Sequence, residues 1–293
     1  MTEIRLNSFH AWILASRPKT LSGAAIPVII GSALAYSDQK FTLLPAIICL
    51  LFAFLMQIAA NFMNDLSDFS KGSDTEERIG PKRACAQGWI TPKAMKKGII
   101  ITIVVSCLTG CSLLFYGGPE LILIGILCVI FALLYTTLSY HGWGDLLVLI
   151  FFGFVPVGGT YYVMSGEYTF DVAIASLICG LLIDTLLVLN NYRDRFTDFK
   201  DGKKTIIVRL GENFGKYFYL FLGLFATILC MWFINEKYWF ASFLPFIYII
   251  PHFLTWKEMV TINKGKELNI ILGKTSRNII IMGLLFSLGI ILG

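Results

Sequence analysis

Two clusters of oxygen-bearing side chains stand in an otherwise apolar sequence. The first cluster contains Asn64, Asp65 and Asp68, and the second contains Asp194 and Asp198. Both follow long apolar stretches, where burying an unpaired acid costs several kcal/mol and normally marks a functional position. Carboxylate and amide oxygens are hard ligands that suit Mg²⁺, which commonly binds one or two carboxylates together with substrate phosphates. Two such clusters facing one cavity predict a site where Mg²⁺ ions hold a diphosphate.

The residues of each cluster recur at the spacing of one helix face. Asn61 precedes the first cluster by about a turn, and Asn190 precedes the second in the same way. At 100° per residue, each set falls within an arc of about 100°. A polar stripe on an apolar helix is expected to face the interior of a bundle rather than lipid. One such cluster would equally fit helix-end acids in solvent, whereas two with the same pattern favour a site.

Basic residues follow both clusters. Arg78, Lys82 and Arg83 lie after the first cluster, and Lys203 lies after the second. Basic side chains assist the departure of a diphosphate when they lie where its charge develops. We therefore expect these four residues to bind a diphosphate. The alternative is attraction to anionic lipid headgroups, which we favour for the lysines further along the first of these loops.

The elements that must position these clusters are membrane helices. The 293 residues are 56% hydrophobic and only 15% charged, with a mean hydropathy of +0.73, whereas soluble domains are roughly 25% charged. Nine apolar segments are each long enough to cross a hydrocarbon core of about 30 Å as a helix. They run at about 21–36, 42–63, 96–116, 119–138, 145–165, 172–191, 214–234, 238–256 and 273–292.

The lysines and arginines predict how these segments are oriented. Of the 24 Lys and Arg residues, all but Lys40 and Lys237 lie in the N-terminal arm or after the second, sixth and eighth segments. With nine spans these four regions share one side, which the positive-inside rule makes cytoplasmic. We therefore predict a cytoplasmic N-terminus, an extracytoplasmic C-terminus and a cytoplasmic site in the cell (inner) membrane. The expected partner is the lipid bilayer rather than nucleic acid, despite the net charge of +5.

Several single residues allow two interpretations. Tyr135 and Tyr140 flank the connection between the fourth and fifth segments, where interfacial tyrosines are usual. Asp184 lies inside the sixth segment as either a functional acid or a neutral, hydrogen-bonded carboxyl group. Asp145 begins the fifth segment, which favours a helix-capping role. The seven cysteines lie mostly in apolar segments without a zinc-binding spacing, so we expect them to be inert packing residues.

Taken together, the clusters resemble the UbiA superfamily of intramembrane aromatic prenyltransferases over nearly the whole chain. In that family an Asn-x-x-x-Asp-x-x-x-Asp motif and a later Asp-x-x-x-Asp motif hold Mg²⁺ and a polyprenyl diphosphate. The first motif matches Asn64 and Asp68, and the second matches Asp194 and Asp198. The last acid of the first motif falls at Gly72, so the first cluster departs from the family pattern. The resemblance implies that the acids of both clusters are catalytic and that they hold Mg²⁺ with Asn64.

Longer stretches narrow the resemblance to the branch that uses 1,4-dihydroxy-2-naphthoate. They include residues 17–21, 78–83, 140–145, 190–194 and 208–211. The resemblance implies an all-α bundle of nine membrane helices forming one domain over residues 1–293. The similar polar ends of the second and sixth segments suggest two similar helical halves. It also implies transfer of a polyprenyl group from polyprenyl diphosphate, with loss of CO₂ and diphosphate, to give a demethylmenaquinol. The open alternatives are 4-hydroxybenzoate or homogentisate as acceptor or, from another class, a secondary transporter.

The resemblance also suggests where the substrates bind. Arg17 and Lys19 precede the first segment and are candidates for holding the carboxylate of the acceptor. The alternative is that they only anchor the first helix. The residues expected to contact the substrates are Asn61, Asn190, Arg17, Lys19, Tyr135 and Tyr140.

Overall fold

Long α-helices make up the fold. The computed structural model describes residues 4–72, 79–234 and 238–293, with Thr136 described by its backbone alone, and none of these residues forms a β-strand. The helices are α1 (Phe9–Ser37), α2 (Leu43–Lys71), α3 (Pro92–Gly117), α4 (Leu121–Tyr140), α5 (Gly144–Ser165), α6 (Phe170–Lys200), α7 (Ile206–Leu210), α8 (Glu212–Phe233), α9 (Trp239–Ile262) and α10 (Leu268–Leu292). The predicted all-α architecture is confirmed.

Eight helices within the described ranges are long and apolar enough to cross a membrane: α1 to α3, α5, α6 and α8 to α10. The apolar stretch of α4, Leu121–Tyr135, is shorter, although the whole helix has 20 residues. Each predicted segment therefore coincides with a helix. A ninth crossing and the sidedness of the termini stay predictions.

The helix α6 occupies the centre of the bundle, because 72% of its most apolar stretch is buried, against 17% for α3. Its neighbour α5 packs on it unusually closely. A β-carbon at Gly153 of α5 would lie 2.4 Å from the backbone oxygen of Ser176, and one at Gly180 of α6 would lie 3.0 Å from Cα of Leu149. Glycine is therefore required at Gly153, and a larger residue at Gly180 would be crowded by the backbone of α5. This part of α5, Leu149–Gly158, is a π-helix, a form often found at functional sites.

Local capping residues explain where several helices begin and end. The left-handed Gly72 (φ 68°) ends α2, a conformation that glycine adopts without strain. Thr91 begins α3 by accepting a hydrogen bond from the backbone N–H of Ala94 at 3.2 Å. Thr169 begins α6 in the same way, with the N–H of Val172 at 3.3 Å. Each cap satisfies a backbone group that the helix itself cannot.

Two helices continue beyond the apolar segments predicted for them. The predictions were 42–63 and 172–191, whereas the helices reach Lys71 and Lys200. Both acidic clusters consequently lie on the last turns of long helices. The extension is possible because the polar side chains there are paired within the protein instead of being exposed to lipid.

The first helix begins earlier than predicted and is broken. The sequence predicted an apolar segment at 21–36, but a helix already forms at Phe9–Ser16. Arg17 adopts a left-handed conformation (φ 52°) and Pro18 begins a 3₁₀ turn. Since proline lacks an N–H group, the break leaves backbone oxygens that need other donors.

Candidate active site

Asp68 of the first cluster forms an ion pair with Arg83, and both side chains are buried. Removing one partner from such a pair leaves an uncompensated charge, at a cost of about 3–5 kcal/mol. The pair fastens the segment after α2 against the helix that carries the cluster. The structure thus brings together two residues that the sequence assigned to diphosphate chemistry.

Asp65 fastens the same segment through the backbone. Its two carboxylate oxygens accept hydrogen bonds from the N–H groups of Ala84 at 2.7 Å and Cys85 at 2.9 Å. The carboxyl group is buried, so these bonds replace those that water would make. Each oxygen keeps a further lone pair, and metal ligation by Asp65 stays a prediction.

A first prediction follows from this arrangement. In Asp65→Asn an amide N–H faces one of the two buried backbone N–H groups, so one hydrogen bond is lost. This loss should destabilise the attachment of the segment by about 1–3 kcal/mol. We expect faster tryptic cleavage at Lys82 and Arg83, measured by limited proteolysis in detergent. Ser70→Ala, an exposed change on the same helix, should leave the cleavage rate unchanged. Equal rates for Asp65→Asn and the wild type would mean that Asp65 does not hold the segment.

The acids of the second cluster also have basic partners. Both oxygens of Asp194 accept hydrogen bonds from Arg193, at 2.8 and 2.6 Å. Asp198 pairs with Lys203 at 2.9 Å. Burial lowers the pKa of Lys203, but Asp198, Tyr140 and Asp68 together raise it by more, so the pKa lies above its usual value. Lys203 is therefore a cation at neutral pH.

Tyr140 lies between the two lysines that follow the clusters. Its ring lies 3.7 Å from Nζ of Lys71, at the end of α2, and 4.8 Å from Nζ of Lys203, after α6. Ammonium groups at such distances are attracted to the face of an aromatic ring. Asp68 also interacts electrostatically with Lys203. The two clusters therefore lie beside each other, at the same end of the bundle.

An apolar cavity of about 560 Å³ begins beside the first cluster. It lies between α1, α2, α3, α4 and α5, and residues from Cys49 to Asn64 form its α2 wall. At 1.5 Å per residue this wall is about 22 Å long. A cavity with a polar end and a long apolar body suits a diphosphate carrying a hydrocarbon chain.

Aromatic rings line this cavity near its polar end. Phe131 stacks on Phe151 with ring centroids 3.5 Å apart, and Tyr135 meets the edge of Phe131 at 5.5 Å. All three residues line the cavity. Aromatic faces stabilise nearby cations, so this wall suits a positively charged hydrocarbon intermediate.

Two acids outside the clusters lie behind the aromatic wall. Asp184 of α6 is buried and interacts electrostatically with Asp145, which lies in the first turn of α5. Both acids also interact with Tyr135. Neither lines the cavity, and a direct role for Asp184 stays a prediction.

The remaining predicted residues lie in different surroundings. Asn61 donates hydrogen bonds to the backbone oxygen of Ser16 at 2.9 Å and to Oγ1 of Thr20 at 3.0 Å, across the break in α1. Asn190 donates to the backbone oxygen of Leu186 within α6, at 3.1 Å. Arg17 is half-buried, Lys19 and Lys82 are exposed, and Arg78 lies outside the described residues.

Two residues that lie beside the clusters were not predicted from the sequence, Lys71 and Asn269. Lys71 follows Asp68 by three residues, so helical spacing could have placed it beside the first cluster. Asn269 contacts Arg193 of the second cluster at 2.8 Å, and no local pattern marks it.

The chemistry of the donors suits Mg²⁺. In the part of the chain that the structure describes, no three His, Cys, Asp or Glu side chains gather closely enough to hold one metal ion. Mg²⁺ does not require such a group, because it keeps waters and substrate phosphates as ligands beside one or two carboxylates. Each cluster offers hard oxygen donors of that kind, and Asn64 of the first cluster also lines the cavity.

Comparison with known proteins decides the family. Residues 24–268 match the family model of the UbiA prenyltransferase family. The chain belongs to this family. The resemblance seen in the two clusters is thereby confirmed.

Similar UbiA family proteins include enzymes of bacteria. The 1,4-dihydroxy-2-naphthoate octaprenyltransferase of Haemophilus influenzae is 35% identical, over 96% of this chain and 96% of its own length. The protein of the same name from Escherichia coli is 34% identical, over 100% of this chain and 98% of its own length.

Solved structures of UbiA homologs share the fold. The homolog from Aeropyrum pernix K1 superposes with a TM-score of 0.72 at 16% identity, covering 94% of this chain and 98% of its own. A homolog from Archaeoglobus fulgidus, bound to DMAPP and Mg²⁺, superposes with a TM-score of 0.66 at 15% identity, covering 94% and 99%. The chain is thus a polytopic membrane protein with the UbiA fold.

Proposed function

We propose that this chain transfers a polyprenyl group from polyprenyl diphosphate to 1,4-dihydroxy-2-naphthoate, releasing CO₂ and diphosphate and forming a demethylmenaquinol for menaquinone biosynthesis. One arrangement carries the proposal: two acidic clusters with basic partners lie beside each other, and Asn64 of the first cluster lines a long apolar cavity. The names of the bacterial relatives support the choice of acceptor and donor class.

The donor lies with its hydrocarbon chain in the cavity and its diphosphate between the clusters. Bound Mg²⁺ neutralises the diphosphate and assists its departure. The residues that would hold Mg²⁺ are Asn64, Asp65, Asp68, Asp194 and Asp198. Arg83 and Lys203 bind the acids in the free protein, and they turn to phosphate oxygens when the donor arrives.

The reaction balances without an added proton or oxidant. The allylic C–O bond of the donor breaks, and its electron pair leaves with the diphosphate. The ring carbon that bears the carboxylate attacks the allylic cation. The bond to the carboxylate carbon then breaks, and its electrons restore the aromatic ring as CO₂ leaves.

The chain's own residues protect and orient the reacting groups. The wall formed by Phe131, Tyr135 and Phe151 faces the cation, while the apolar cavity excludes the water that would quench it. Arg17 and Lys19 hold the acceptor carboxylate from the break in α1, which Asn61 ties to the first cluster's helix. The site opens toward the cytoplasm of the cell (inner) membrane, as the positions of the basic residues indicate.

The proposal predicts a defined product. Purified protein in detergent receives Mg²⁺, radiolabelled octaprenyl diphosphate and each aromatic acid in turn. We expect a prenylated, decarboxylated product with 1,4-dihydroxy-2-naphthoate and none after chelation of Mg²⁺ by EDTA. Activity only with 4-hydroxybenzoate or homogentisate would mean that this compound, and not 1,4-dihydroxy-2-naphthoate, is the acceptor. Absence of product with all three acids, together with solute flux in vesicles, would instead indicate a transporter.

A further inference from the structure

Asn269, the second residue of α10, uses both ends of its side-chain amide at the candidate site. Its Oδ1 accepts a hydrogen bond from Nη1 of Arg193 at 2.8 Å. Its Nδ2 donates to the backbone oxygen of Ile79 at 2.9 Å. The residue lies just beyond the 24–268 range that matches the family model. One side chain thus contacts the second cluster and the segment that follows the first.

The contact with Arg193 bears on Asp194. The side chain of Arg193 is 3% exposed, whereas the side chain of Asp194 is 26% exposed. Arg193 therefore contacts Asp194 from the buried side. Two of its nitrogens donate to the carboxylate of Asp194, and Nη1 donates to Asn269. Without Asn269 the buried Nη1 loses an acceptor, and a buried donor is costly to leave unpaired. Arg193 would then turn, and the orientation of Asp194 would change with it.

The contact with Ile79 bears on the first cluster. Ile79 begins the described segment in which Arg83 pairs with Asp68 and the N–H groups of Ala84 and Cys85 bind Asp65. Those contacts tie the segment to α2. The bond from Asn269 ties its beginning to α10 instead, so the segment is held from two sides.

We propose that Asn269 is a positioning residue of the diphosphate site, which holds Asp194 and the segment bearing Arg83 at a fixed separation. The inference rests on the proposed function, because it assumes that one diphosphate with Mg²⁺ is bound by both clusters. Groups on separate elements bind a shared ligand well only when their spacing is set beforehand. Loss of the amide should weaken binding of the diphosphate end and leave the apolar cavity intact.

The test measures the binding of diphosphate separately from catalytic turnover. The full-length protein in detergent is unfolded by heat with increasing inorganic diphosphate and Mg²⁺, and the shift in Tm gives an apparent Kd. For Asn269→Ala we expect an apparent Kd at least about tenfold weaker. The KM for polyprenyl diphosphate should rise by a similar factor, with a smaller fall in kcat.

Two further variants separate positioning from stability and volume. Asn278→Ala is the control, because Asn278 is a buried asparagine of the same helix that donates to the backbone oxygen of Pro251 and to Thr255. It should lower Tm without changing the apparent Kd. Asn269→Leu keeps most of the side-chain volume without the amide, and it should weaken binding as much as alanine does.

The outcomes are distinct. Weakened binding in both Asn269 variants, with an unchanged Kd in Asn278→Ala, supports the inference. A wild-type Kd in either Asn269 variant, or an equal loss in Asn278→Ala, overturns it while the proposed function stands. If inorganic diphosphate with Mg²⁺ fails to stabilise the wild-type protein, the diphosphate site itself is overturned, and the inference with it.

Discussion

Replacement of Asp68 by asparagine is expected to reduce kcat/KM for prenyl transfer by about 10³-fold, the scale on which a single preorganised charged contact acts in catalysis. The substitution removes an expected Mg²⁺ ligand. It also replaces the carboxylate that pairs with the buried Arg83 by a neutral amide. The ligand loss acts on the departure of diphosphate, whereas loss of the buried ion pair lowers the free energy of unfolding by about 3–5 kcal/mol.

The measurement must separate these two effects. Steady-state kinetics with octaprenyl diphosphate and 1,4-dihydroxy-2-naphthoate give the activity, and thermal unfolding gives the folded fraction. Asp171→Asn is the matched control, since Asp171 lies in the first turn of α6, at the other end from Asp194, and binds Nε1 of Trp232 at an exposed position. Activity of folded Asp68→Asn within tenfold of the wild type would contradict the assigned role.

Gly125→Phe is expected to reduce the use of octaprenyl diphosphate by about 100-fold or more, while a short allylic diphosphate is still used. Gly125 lines the cavity, and a β-carbon there would have no heavy atom within 4 Å. A phenyl group would occupy space that the hydrocarbon chain needs. One methylene group in an apolar pocket contributes about 1–3 kcal/mol to the discrimination between substrates. Excluding several isoprene carbons should therefore lower kcat/KM for the long donor strongly.

The readout is the ratio of kcat/KM for the long donor to that for dimethylallyl diphosphate. Gly273→Phe is the control, because Gly273 also has open space around its β-carbon position but is exposed on α10. It should leave the ratio unchanged. An unchanged ratio in Gly125→Phe would show that the hydrocarbon chain lies elsewhere.

The sequence predicted those parts of the site that depend on local periodicity and charge. The spacing of Asn64, Asp65 and Asp68 indicates one helix face, and α2 carries all three. The proximity of Arg83 and Lys203 to the acids followed from their positions shortly after each cluster. Arg83 follows Asp68 by 15 residues and Lys203 follows Asp198 by five, so the short connections restrict how far each base can lie from its acid.

Contacts between distant parts of the chain could not be predicted in this way. The bond between Asn269 and Ile79 spans 190 residues, and its partner atom is a backbone oxygen, which every residue has. The bonds of Asn61 across the break in α1 are similar, since they join residues more than 40 positions apart. Such contacts depend on how the helices pack, and helix packing leaves no regular spacing in the sequence.

The pairing of Asp68 and Asp198 with basic residues also affects how strongly each ligand binds when the other is absent. Mg²⁺ alone meets carboxylates that already have cations beside them, and diphosphate alone meets cations that are already neutralised by acids. In the proposed complex with both ligands, the metal would lie on the acids and the phosphate on the cations, so that every charge would be compensated. Metal and donor should therefore bind with positive cooperativity, each raising the affinity for the other by the same factor.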